Sequence, residues 1–199
     1  VKQQEHTPPN DRKQDAFQRL LYELYTCGPL RLVVENGHPD LVNQEARLCC
    51  RHDPFLEVID AMEQRELVSA LKDGQDERVF ILTDKGCLTA MMFSQRKRSQ
   101  ENCQCQRCNL AFVDFVRLLL KHERFQLINE DGHPHILFEE DDLCCKQKPY
   151  FYVLCKLEQH GYVEISESFY GRITDRGKRS AHFILQTGSN DFSSSAYLN

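Results

Sequence analysis

No apolar run in the 199 residues approaches the roughly 18 that a membrane-crossing helix needs, so a helical membrane span is excluded. Also missing are a glycine-rich phosphate loop, a paired-carboxylate signal, and a nucleophile with its base and orienting group. Catalysis is therefore not expected, and neither is a cofactor. Positive charge is not in excess: 25 Lys and Arg stand against 30 Asp and Glu, for a formal net charge of -5. That balance disfavours binding nucleic acid or an anionic membrane over the whole surface, but leaves room for a local basic face. The ten cysteines have no secretory signal before them and do not stand at scaffold spacings; four of them fall in adjacent pairs on helical patterns. A reducing cytosol or nucleus is the expected setting. A chain that opens on Val1 reads as a piece of a longer protein.

What is present is a repeat. Glu35-Asn36-Gly37-His38-Pro39 followed by Leu48-Cys49-Cys50 recurs as Glu130-Asp131-Gly132-His133-Pro134 followed by Leu143-Cys144-Cys145, 95 residues on. The register holds without a gap from Ala16/Ala111 to Val68/Val163, with 17 identities in 53 positions. Beyond Val68 the offset falls to 91, pairing Thr83-Asp84-Lys85-Gly86 with Thr174-Asp175-Arg176-Gly177, so the first copy carries four extra residues before that motif. A long fixed period of this kind means two similar folded modules.

The expected organisation is a mobile tail over 1–14, a first domain over 15–93, a basic and cysteine-rich linker over 94–110, a second domain over 111–185 and a disordered tail over 186–199. Asp15 suits the cap of a helix whose Phe17, Leu20, Leu21 and Leu24 share one face, and Cys27-Gly28-Pro29 ends it. Asn36-Gly37 between Leu30–Val34 and Leu41–Val42 is a hairpin signal. A second helix is expected over Gln44–Arg51 and a third over Pro54–Arg65, with Phe55, Val58, Ile59 and Met62 inward. Strands Val68–Leu71 and Val79–Leu82 follow, then a helix from Thr83, with the threonine as its cap.

EARLCCRHDPFLEVIDAMEQRELV with ILTDKG, and DDLCCKQKPYFYVLCKLEQHGYVEI with RITDRG, together resemble the helix-turn-helix, wing and T-x-x-G return strand of MarR-like regulators. The resemblance covers about two thirds of each repeat and names a superfamily. It implies an α+β, mostly α chain of two tandem winged helix-turn-helix domains. The β-hairpin between helix 1 and helix 2 in each copy is an addition, longer than the single short strand those regulators usually have, and a departure from a bacterial regulator's pattern. In that superfamily the third helix commonly enters the major groove and the wing meets phosphate.

The two copies differ most on this third helix. Copy one turns Asp53, Leu56, Glu57 and Asp60 outward, a face that phosphate would repel but a protein partner could use. Copy two has Lys148, Phe151, Tyr152 and Cys155 at the matching positions, with Lys146 and Lys156 alongside and Arg172, Arg176, Lys178 and Arg179 in its wing. Cations with aromatics suit nucleic acid, RNA or DNA, above all single strands. The alternative is a protein-interaction scaffold using the same surfaces. Cys103-x-Cys105-x-x-Cys108 could hold zinc only with a fourth ligand such as His122, and zinc is expected to be absent. The paired cysteines are read as core packing, and His38 and His133 as turn residues.

Overall fold

The computed structural model describes residues 9–72, 77–98, 106–130, 132–145 and 148–187. Among these the chain is α+β, with six helices and two five-stranded antiparallel sheets. It divides into two units, Val1–Ala90 and Met91–Asn199.

The first unit contains α1 (Pro9–Thr26), β1 (Leu30–Glu35), β2 (His38–Val42), β3 (Arg47–Cys49), α2 (Phe55–Gln64), β4 (Val68–Lys72), β5 (Arg78–Leu82) and the start of α3 (Asp84–Arg98). The second contains the end of α3, then α4 (Gln106–His122), β6 (Arg124–Glu130), β7 (His133–Leu137), β8 (Asp142–Cys144), α5 (Tyr150–Gln159), β9 (Val163–Ile165), β10 (Tyr170–Ile173) and α6 (Asp175–Thr187). Strand order is β3-β2-β1-β5-β4 in one sheet and β8-β7-β6-β10-β9 in the other. The sequence repeat is thus a repeat of topology. The copies differ in length at the β4–β5 hairpin, which pairs five residues where β9–β10 pairs three.

Asn36 and Gly37 take positive φ (51° and 77°) and close the β1–β2 hairpin as expected. The T-D-x-G motif has a specific job in both copies. The Thr83 hydroxyl donates to the Glu66 carbonyl (2.6 Å) and accepts from the Gly86 amide (3.0 Å), while Thr174 does the same with the Gly161 carbonyl (2.8 Å) and the Gly177 amide (3.0 Å). Each threonine caps the last helix of its unit and ties it to the turn after α2 or α5. A Cβ on Gly86 or Gly177 would stand 1.9 Å or 2.1 Å from the carbonyl oxygen of Leu67 or Tyr162, so the motif needs glycine for close approach.

Leu20, Leu21, Leu24, Leu30, Leu41, Leu48, Phe55, Ile59, Met62 and Phe80 form the buried core of the first unit. The second unit replaces several of these with aromatics. Phe115, Phe125 and Phe138 pack with ring centroids 5.8–6.0 Å apart, at positions held by Leu20, Leu30 and Asn43 in the first copy. Across the central strand pair the large side chain has changed sides. Leu30 faces Phe80 in one unit, and Phe125 faces Gly171 in the other, with its ring filling the space a Gly171 Cβ would need.

Four expectations are corrected. Gln44–Arg51 is not a helix: Asn43 Oδ1 accepts from the Glu45 and Ala46 amides (2.9 Å and 2.7 Å), turning the chain so that β3 pairs with β2. The cysteine pairs therefore sit at the end of a strand, with Cys50 against the core and Cys49 exposed. The first helix begins at Pro9, inside the expected tail, because proline is well suited to a helix's first turn. The expected linker is mostly helical, since α3 runs on through helix-forming Gln and Arg to Arg98 and α4 begins at Gln106. At the other end α6 includes Gln186 and Thr187. Cys103, Cys105 and residues 188–199 lie outside the described residues.

Candidate functional site

α5 begins after Pro149 and buries seven of its ten residues: Tyr150, Phe151, Val153, Leu154, Cys155, Lys156 and Leu157. Tyr150, Val153, Leu154 and Leu157 match the inward face of α2. Phe151 (3 % exposed), Cys155 and Lys156 (6 %) were expected to face out and do not. α3 reaches the C-terminal end of α5. Arg96 donates to both Glu158 carboxylate oxygens (3.0 Å and 2.6 Å), and Gln159 Nε2 donates to the Arg96 carbonyl (3.2 Å). The sequence carried a signal for this: Phe151 and Cys155 stand where copy one has Leu56 and Asp60, making α5 apolar nearly all round, and such a helix is buried.

The remaining helix positions are partly committed as well. Lys148 pairs with Asp114 of α4, which holds its amine above the ordinary lysine range, and its ammonium lies 5.9 Å from the Tyr150 ring centroid. Tyr152 is half-buried, and Lys146 lies outside the described residues. Burial depresses the Lys156 amine. His160, one turn on, is pushed down by burial and then by the charges of Lys156 and Arg176. Thiol chemistry is disfavoured, since burial raises Cys50 to about 11 and Cys145 and Cys155 to about 12.

Of the four cations expected in the wing, only Arg172 lies on the β9–β10 hairpin; Arg176, Lys178 and Arg179 lie on α6. Arg172 on β10 is 68 % exposed, and its guanidinium donates to Glu164 of β9 (2.8 Å and 3.0 Å). Arg176 lies over the Tyr162 ring, 5.2 Å from its centroid, and Lys178 pairs with Glu123 at 2.6 Å. Arg179 is exposed on α6. Strand register adds two residues that sequence reading missed. Arg172 is directly opposite Arg124 of β6, and Tyr170, 57 % exposed, is opposite Gln126. Only the β6–β10 pairing brings them together, and nothing in the linear sequence announces it. Arg124, Arg172, Arg176 and Lys178 line a groove of about 530 Å³ shared with Glu123, Glu164 and Asp175. A second groove of about 480 Å³, with Phe125 and Tyr170 in its wall, shares Arg124, Glu164 and Arg172 with it. Surface ion pairs of this kind are worth little, so a phosphate can recruit the cations at small cost.

The first unit does not repeat the cations of this groove. Its matching residues are Pro29, Ile81, Lys85 and Cys87, and Val79 stands in place of Tyr170. Instead it presents α2 with Glu57 and Asp60 exposed, and Asp53 exposed just before the helix, as expected, whereas Leu56, expected to face out, is half-buried and packs against the core. Lys13 pairs with Glu57, and Arg78 reaches Asp60 (3.7 Å) and Glu63 (2.9 Å). No helix among the described residues is long and apolar enough to cross a membrane. No family model, no curated protein and no solved structure matches the chain.

Proposed function

We propose that this chain is a non-catalytic module that binds single-stranded nucleic acid on the wing of its second unit. Both units are read as winged helices in which the first helix of the helix-turn-helix has become a strand. That fold reading is supported by the order helix, strand, helix, hairpin in each unit, and by hairpins that return beside the first strand as β4-β5-β1 and β9-β10-β6. The functional reading rests on one observation, the convergence of Arg124, Arg172, Arg176 and Lys178 in a groove next to exposed Tyr170. Cations hold a sugar-phosphate backbone without regard to sequence, and an exposed aromatic offers a stacking face to any base. The recognition helix is not the contact surface in this reading, because its outer side is covered.

Fluorescence-anisotropy titration of single- and double-stranded RNA and DNA with the full chain tests it. Arg172→Ala with Arg176→Ala should weaken binding to all sequences and reduce the slope of log K against log salt by about one to two. Tyr170→Ala should cost about 1–3 kcal/mol on single strands and less on duplexes. Absence of binding at low salt overturns the proposal. A protein-interaction scaffold then takes its place, favoured by the exposed acidic side of α2 around Leu56, Glu57 and Asp60.

A further inference from the structure

The outer face of the first sheet is tied together by one cation. Arg47 of β3 donates through Nε to Asp40 of β2 (2.6 Å) and through Nη2 to Glu35 of β1 (2.5 Å). One guanidinium thus links three neighbouring strands, and it holds the Asp40 carboxyl below its ordinary range. The residues 95 positions later are Glu130 on β6, His135 on β7 and Asp142 on β8. Glu35 is kept as Glu130. The cation is lost: a second carboxylate, Asp142, stands where Arg47 was, and an imidazole stands in place of Asp40. His135 Nδ1 lies 2.9 Å and 3.0 Å from the two Asp142 oxygens and 3.9 Å from Glu130 Oε2. All three groups can bring a ligand atom within 4.8 Å of the other two.

We propose that Glu130, His135 and Asp142 form a divalent-metal site, in which the ion takes the place that the Arg47 guanidinium fills in the first unit. Two carboxylates neutralise a divalent charge, and oxygen and imidazole donors together suit Mn²⁺, Co²⁺, Ni²⁺ or Zn²⁺ better than a soft ion such as Cu⁺. Donors about 2.0–2.2 Å from a common ion lie roughly 3 Å from one another, so a small movement of Glu130 completes the set, with water in the open positions. Asp142 and Glu130 are exposed, so water can supply those positions and the ion can enter from solvent. The role this gives the ion is structural. It pins β8, an edge strand of three residues, to β7 and β6, as Arg47 pins β3 to β2 and β1.

A titration of the full chain with Co²⁺, followed by its visible spectrum, tests this. Co²⁺ reports its own ligands: a carboxylate-imidazole site gives d–d bands without the thiolate charge-transfer absorption that the cysteines would produce. One such ion per chain is expected, together with a rise in melting temperature. His135→Asn should weaken binding by more than the roughly 10–100-fold that losing an outer-sphere partner costs. The double change His135→Asp with Asp142→Arg rebuilds the trio of the first unit. It should stay folded, lose Co²⁺ binding and keep its melting temperature when the metal is added. The proposal is overturned if the wild-type chain takes up no Co²⁺. It is equally overturned if Co²⁺ binding survives the double change or shows thiolate absorption alone.

Discussion

α2 and α5 come from one repeat and share Val58/Val153 and Glu63-Gln64/Glu158-Gln159, yet one is open and the other is covered. α2 keeps four residues buried and presents carboxylates to solvent. α5 has exchanged Leu56 and Asp60 for Phe151 and Cys155 and buries both, with Arg96 of α3 bound to Glu158 at its C-terminal end. The open helix has the wrong charge for phosphate, and the helix near cations is closed. Among the described residues, neither α2 nor α5 therefore presents a basic outer face. The cations have collected instead in a groove between β6, β10 and α6 of the second unit, where the first has Pro29, Ile81, Lys85 and Cys87.

The largest expected effect comes from exchanging the two core arrangements. Gly171→Phe sets a second ring against Phe125, and should destabilise the second unit by at least the roughly 1–3 kcal/mol typical of overpacking. Adding Phe125→Leu recreates the Leu30/Phe80 pair and should recover most of the loss. Urea unfolding resolved by hydrogen exchange in each unit is the measurement. A double variant no better than the single one would show that the two cores are not interchangeable.

Next in size is a helix end. Both helices close with the same backbone bonds, Leu67 N–H to Met62 O (2.9 Å) and Tyr162 N–H to Leu157 O (2.8 Å), through a residue at positive φ. That residue is Glu66 in the first unit and Gly161 in the second, at φ 60° and 70°. Glu66→Gly should stabilise the first unit by about 1 kcal/mol, and Gly161→Ala should weaken the second by a similar amount. The same exchange experiment reads both. No gain from Glu66→Gly would mean that the glutamate side chain offsets its backbone strain.

Arg96→Ala removes the bidentate contact with Glu158. Because the arginine is about half exposed, solvent screening limits the loss to about 1 kcal/mol. It should also raise exchange along the outer side of α5, which nothing in α2 would mirror. Unchanged protection there would show that Arg96 does not hold the cover in place.

The smallest effect is a pH dependence confined to the second unit. His160 binds its proton less readily when folded, so the cost of charging it is fully present below its lowered pKa. Stability should rise with pH from that value up to the ordinary 6.5 and then level off. His160→Gln should flatten this rise. The first unit, with Arg65 at that position, should show no counterpart.

Much of the fold was legible because its signals are local. The Asn36-Gly37 turn, the inward face of α2 and the Thr83 and Thr174 caps all depend on residues close in sequence. β3 was misread as a helix because three residues are too few to show a period of two, and the Asn43 turn that redirects the chain competes with helix formation. The cover over α5 and the alignment of Arg124, Arg172 and Tyr170 depend on contacts between distant segments. Of the site residues, Arg172 was placed on the hairpin that carries it, Arg176, Lys178 and Arg179 were assigned to that hairpin but lie on α6, and Phe151 and Lys156 were assigned to a surface that is closed.

The central claim, that the wing of the second unit and not its third helix meets the nucleic acid, is tested most directly by amide chemical-shift mapping. A single-stranded oligonucleotide would be added to the full chain at low salt. Shifts are expected at Arg124–Gln126, Glu164–Ser166, Tyr170–Arg172 and Arg176–Arg179, with α2 and the outer side of α5 unchanged. Shifts centred on Phe151, Tyr152 and Lys156 with a silent wing would contradict it.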